Sequence, residues 1–151
     1  YVKLENKRIL SGELKVNMES IVNKDIKDET YRGYLENHLK SEDFFDVINF
    51  PVAVLEIIQE ENTANSGVAP KANTSILCNL TIKGITHQII IPIDVNIYNN
   101  HATASGSIDI DRTLYEISYK SKSFFPNIGD KLIYDNFTLN FNINTKREWE
   151  K

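Results

Sequence analysis

Apolar and polar residues alternate one for one in five separate stretches of this chain. Leu14, Val16 and Met18 alternate with Glu13, Lys15 and Asn17. Ile76, Cys78, Leu80 and Ile82 alternate with Leu77, Asn79, Thr81 and Lys83. Ile89, Ile91, Ile93, Val95 and Ile97 form the longest single face. Ala102, Ala104, Gly106, Ile108 and Ile110 alternate with Thr103, Ser105, Ser107 and Asp109. Phe137, Leu139, Phe141 and Ile143 alternate with Thr138, Asn140, Asn142 and Asn144. A period of two places one set of side chains in a core and leaves the other wet, which is the pattern of antiparallel strands.

The composition agrees. The chain has 20 Ile, 8 Val and 9 Thr against 11 Leu and 6 Ala, an excess of β-branched side chains that pack well on a pleated surface. Lys83-Gly84 is expected to form a tight hairpin turn, and Tyr98-Asn99-Asn100-His101 another. Glu60 to Asn73 is polar and reads as a long exposed hairpin loop. Pro92 interrupts the longest strand; lacking an N–H, it belongs at an edge or a bulge. One stretch departs from the pattern. Tyr31, Leu35 and Leu39 recur at helical spacing, which predicts a helix over Asp28–Ser41 capped from the Asp28/Thr30 region. Shorter helical or irregular pieces are expected after Arg112 and around Phe124-Phe125-Pro126, and a fraying tail over Lys146 to Lys151. Hairpin-linked strands crossed by one helix predict a single all-β domain over residues 1–151, an antiparallel barrel closed or nearly closed. A two-sheet sandwich is the alternative.

Charge and chemistry narrow the function. The net charge of −4 disfavours nucleic acid as a partner. No apolar run approaches the ~18 residues of a membrane helix. The opening residues show no basic region before an apolar run, so no signal peptide is expected within them. Cys78, the single cysteine, can form no internal disulfide and is expected to be a buried, inert thiol. His38, His87 and His101 lack the spacing of a metal site, and Asp109 and Asp111 share a wet strand face. Asp111 and Arg112 can form a turn ion pair. No catalytic residue, metal site or cofactor is expected.

The inward set is more informative. Ala102, Ala104 and Gly106 place small side chains at three successive inward positions, beside the branched Ile89–Ile97 face. The space they leave suits a hydrocarbon ligand. Equally, Phe137 and Phe141 can fill it from across the core. The candidate lining is Leu14, Val16, Met18, Leu80, Ile89, Ile91, Ile93, Ala102, Ala104, Gly106, Ile108, Phe137, Leu139 and Phe141.

Four blocks carry a family resemblance. Leu35-Glu36-Asn37-His38-Leu39-Lys40-Ser41-Glu42-Asp43-Phe44-Phe45-Asp46-Val47, followed by Phe50-Pro51-Val52-Ala53, resembles the hallmark of the YceI-like, polyisoprenoid-binding family. Gly12 to Ile21, Asn79 to Thr86 and Ile110 to Ile117 resemble its other blocks, in the same order. The resemblance implies a lipocalin-like barrel whose interior holds the tail of a polyprenyl alcohol or isoprenoid quinone. It implies a non-catalytic binder, bacterial, periplasmic or secreted, with a homodimer as a candidate assembly. Against the family pattern, the opening strand is expected to be absent from this chain. Phe44 and Phe45 are expected to plug the base of the barrel. His38, Asp43 and Arg112 are expected to bond the helix exit to the next strand, with Tyr115, Tyr119 or Arg112 the candidates for head-group contact. The rival reading is a protein–protein interaction module whose barrel core is filled.

Overall fold

The computed structural model describes residues 1–6, 8–61, 72–98, 101–125, 127 and 129–146, with backbone alone at Lys131 and Lys146. The centre of the Glu60–Asn73 loop, the Asn99-Asn100 turn, Pro126 and the tail beyond Lys146 lie outside the described residues.

Seven antiparallel strands form one sheet in sequence order: β1 (Val2–Glu5), β2 (Arg8–Asn17), β3 (Val52–Glu61), β4 (Thr74–Ile82), β5 (Ile85–Ile97), β6 (His101–Asp111) and β7 (Asn136–Lys146). Among the described residues β1 and β7 end the sheet, so it is a curled half-barrel, not a closed ring. The β4–β5 hairpin turns on two residues. Lys83 (φ 53°) and Gly84 (φ 75°) are both left-handed between the paired Ile82 and Ile85, the geometry whose twist matches the flanking strands.

Pro92 sits where two ladders part. β5 pairs with β4 along its length from Ile85 to Ile93, but with β6 only from Ile93 onward. The residue that cannot donate a backbone hydrogen bond therefore stands at the fork, in keeping with the edge position expected of it.

The helix α1 (Glu29–Lys40) follows its caps. The Asp28 carboxylate accepts from the N–H groups of Thr30 and Tyr31 at 2.9 and 3.1 Å, satisfying two of the donors a helix start leaves free. The Ser41 N–H closes the other end on the His38 carbonyl. No residue of α1 is fully buried; the helix crosses the end of the sheet and half-buries Leu35 and Leu39. A 3-10 turn, Arg112–Tyr115, directly follows β6, and another, Gly129–Lys131, precedes β7.

Two apolar clusters line the sheet's concave side. The first, at the helix end, gathers Met18, Phe44, Val47, Leu80, Ile110, Tyr115 and Ile117, among others. The second, at the far end, gathers Ile9, Ile57, Ile76, Cys78, Ile91 and Ile93. Leu55, Ile89 and Ile108 pack against both and join them.

Candidate ligand-binding face

Cross-strand pairing assigns each residue to a face, because directly opposed residues project to the same side. Leu14 opposes Leu55, Val16 opposes Ala53 and Cys78 opposes Ile89. Val95 opposes Ala104, Ile108 opposes Leu139 and Ile110 opposes Phe137. All of these lie on the concave side. Met18, Leu80, Ile91 and Ile93 are buried there. Leu14, Ile89, Ala102, Ala104, Gly106, Ile108, Phe137 and Phe141 are half-buried. Val16 and Leu139 are 55% and 43% exposed, so the concave face is apolar yet open to the outside near β2 and β7.

The gap expected along Ala102, Ala104 and Gly106 is occupied at its third position. A β-carbon on Gly106 would come within 2.5 Å of the Phe141 ring and 2.7 Å of the Pro92 carbonyl. Phe141 is the direct cross-strand partner of Gly106, so the ring reaches over from the neighbouring strand and not from across the core. A glycine beside an aromatic ring is a recurrent way for a strand to recover the packing that glycine gives up.

The helix exit is organised differently from the sequence-based expectation. Phe44 is buried, and its ring meets His38, Phe45 and Tyr119 with centroids 5.5, 5.9 and 6.3 Å away. Phe45 in turn meets Phe137 edge-on at 6.3 Å. The His38 ring lies 4.5 Å from Tyr119, and its Nε2 is buried with no hydrogen-bond partner among the described residues. Asp43 is exposed, and among the described residues its carboxylate makes no hydrogen bond. It borders a concavity of about 410 Å³ on the outside of the plugged end, with Glu42, Glu116, Tyr119, Lys120 and Phe125.

Arg112 ties together other segments than the helix exit. It is 2% exposed, and its guanidinium donates to the carbonyls of Ile117 (2.6 Å), Ile133 (3.0 Å) and Tyr134 (3.0 Å). Its Nη2 lies 3.4 Å from an Asp135 oxygen, and its charge stands 5.4 Å from the Phe44 ring centroid. The expected ion pair with Asp111 is replaced, because the Asp111 carboxylate caps the 3-10 turn by accepting from the Thr113 N–H and hydroxyl. Burial lowers the Arg112 pKa, and Asp135 and Asp111 oppose that shift. Hydrogen bonds from Ser121 and Ser123 hold the Asp135 carboxyl below its usual range, with Arg112 adding to them. Tyr115 is 1% exposed, too enclosed for the head-group contact considered for it; its ring meets His87 at 5.2 Å.

Polar side chains outside the predicted lining also stand on the concave face, His87, Thr74 and Glu60 among them. His87 opposes Leu80, and its Nε2 lies 2.9 Å from the Leu114 carbonyl oxygen. Thr74 opposes Ile93 and is buried. Glu60 opposes Ile76. Only a bulge brings Glu60 there, since the register slips between Ile57 and Gln59 and turns the following residues over. An irregularity of one residue has no period-two signature, which is why alternation does not reveal it. Among the described residues no group of three His, Cys, Asp or Glu side chains is placed to hold a metal ion. No helix is long and apolar enough to cross a membrane.

The half-barrel, the crossing helix and the plugged end match a known architecture. A family profile described as the YceI-like domain matches residues 2–145. The chain belongs to the YceI-like family. Its fold is shared with a mutant of the Campylobacter jejuni YCEI protein carrying a monobromobimane guest, at 14% identity and TM-score 0.72, covering 99% of this chain and 80% of that one. Burkholderia cenocepacia BcnA matches at 18% identity and TM-score 0.69, covering 97% and 82%. A polyisoprenoid-binding domain from Saccharophagus degradans, implicated in plant cell wall breakdown, matches at 12% identity and TM-score 0.61, covering 93% and 81%. Among curated proteins no sequence matches the chain.

Proposed function

We propose that this YceI-like protein binds and carries an amphiphilic isoprenoid lipid, a polyprenyl alcohol or isoprenoid quinone, without altering it chemically. The observation that carries the reading is the concave face. It is apolar over most of β2 to β7, with His87, Thr74 and Glu60 as polar exceptions, yet Val16 and Leu139 on it remain 55% and 43% exposed. Apolar side chains turned inward but left open are unusual in a filled core and are what a hydrocarbon tail would cover. The polyisoprenoid-binding neighbour from Saccharophagus degradans supports the same class of ligand. Each methylene withdrawn from water contributes ~0.8 kcal/mol, so a long prenyl chain offsets the ordering cost of binding. Such a carrier would work in the periplasm or outside the cell, and a homodimer would cover the exposed sheet margins.

The rival reading is a protein-interaction module with a packed interior. The Phe141 ring over Gly106 favours it at that one position. Organic extraction of purified protein followed by mass spectrometry separates the two. The lipid reading expects a co-purified prenyl lipid. It also expects geranylgeraniol at a hundredfold excess over its Kd to raise Tm by about 5–10 °C. Empty preparations with an unmoved Tm would favour the packed module.

A further inference from the structure

Among the described residues, one carboxylate stands on the concave face, at its end. Glu60 stands there because of the bulge in β3, on the side of Ile57 and Ile76, at the end of the face remote from the helix. Its side chain is only 15% exposed. One carboxylate oxygen accepts the Ile9 N–H at 2.7 Å, and the other accepts the Thr74 hydroxyl at 3.1 Å. Thr74 also reaches the Glu61 carbonyl at 3.1 Å, so its hydroxyl is held between two acceptors. Among the described residues the nearest cation is Arg8, whose Nε lies 3.9 Å from the carboxylate on a side chain 55% exposed, a weak pair in water.

An ionised carboxylate has room for about four hydrogen bonds, and these contacts use two. It accepts and never donates. We infer that Glu60 is the head-group anchor of this face: it receives the O–H of a hydroxyl-bearing prenyl ligand and disfavours a phosphorylated one. The inference rests on the lipid reading and sharpens it to one head-group chemistry. The tail then lies along β3 toward Ala53, a length of roughly 23 Å at the rise of an extended strand, and ends near the Phe44–Phe45 plug. A phosphate ester would bring a second negative charge to the carboxylate, and a methyl ether would bring no donor.

Equilibrium binding of geranylgeraniol, its methyl ether and geranylgeranyl monophosphate to the wild-type protein tests this directly. The alcohol is expected to bind about tenfold or more tightly than the ether or the phosphate, the order of a hydrogen bond to a charged acceptor. Glu60→Gln is expected to bring the three affinities together, mainly by weakening the alcohol and admitting the phosphate. Thr74→Val, which leaves the carboxylate in place, is expected to keep the preference for the alcohol. Equal binding of all three by the wild type would overturn the anchor and leave the lipid reading standing. Binding of none would overturn both. The wild-type comparison decides the matter even if Glu60→Gln does not fold.

Discussion

Gly106 and Phe141 oppose each other across β6 and β7, and the Phe141 ring fills the volume that a side chain on Gly106 would need. The two residues act as one packing unit. Gly106→Val is expected to cost about 1–3 kcal/mol through overpacking, because the Pro92 carbonyl closes the space from the other side. Phe141→Ala is expected to cost less than the ~3–5 kcal/mol of a fully buried Phe, since the ring is half-buried. Combined as Gly106→Val/Phe141→Ala, the losses should fall short of additive, as the added side chain enters the vacated space. Urea unfolding of the three variants checks this; strict additivity would show that the contact is not energetically coupled.

Arg112 holds the connection between β6 and β7 through geometry more than charge. Its guanidinium meets the Ile117, Ile133 and Tyr134 carbonyls from one buried position. A lysine carries the charge but is a point donor on a flexible stem and cannot span that fork. Arg112→Lys and Arg112→Met are both expected to destabilise by about 3–5 kcal/mol, the range for breaking a buried charged network. A Lys variant as stable as the wild type in thermal or urea unfolding would return the role to simple ion pairing with Asp135.

What could be read from the sequence follows where periodicity is regular. Ile76 to Ile82 and Ile89 to Ile97 each keep an apolar residue at every second position, and both lie in strands of the sheet. The Asp28 cap and the Lys83-Gly84 turn depend on local chemistry, which survives without tertiary context. β3 was less legible. Val52-Ala53-Val54-Leu55 is apolar at every position, and the bulge after Ile57 reverses the faces beyond it. Period-two reasoning therefore misses Glu60, the one carboxylate turned inward among the described residues. Arg112 shows a different limit. Its carbonyl partners lie 5, 21 and 22 residues away in irregular chain, and no spacing rule predicts contacts between loops.

Asp135 makes the fold acid-sensitive in a definite window. Its folded-state pKa is lowered, chiefly by hydrogen bonds from Ser121 and Ser123. A lowered carboxylate pKa means the unfolded chain binds the proton first. The resulting stability is present above the ordinary Asp pKa of ~3.9 and is lost as pH falls through the lower folded value. Asp135→Asn removes that titration. The stability difference between wild type and Asp135→Asn should be constant from pH 7 to 5 and shrink below about pH 4. A difference that stays flat to pH 2 would show that Asp135 is not held in its ionised form by the fold.

Cys78 should be silent as a nucleophile while the protein is folded. It is fully buried between the Ile57 and Ile89 strands, and burial pushes its thiol up to about 12. At pH 8 almost no thiolate exists, and reagent has no path to the sulfur. Thiol-specific reagents are expected to label Cys78 at the rate of unfolding, and at once in urea. The same shift has a consequence at high pH. An unfolded thiol loses its proton near 8.5 and the folded one only near 12, so the folded state binds more protons in between. Its contribution to stability is whole below pH 8.5 and declines as pH rises, at up to ~1.4 kcal/mol per pH unit. Cys78→Ala loses some packing at neutral pH but escapes this decline, so its deficit against the wild type should narrow between pH 8.5 and 10.5. An unchanged deficit, or prompt labelling of the folded protein, would place the thiol in an environment open to water.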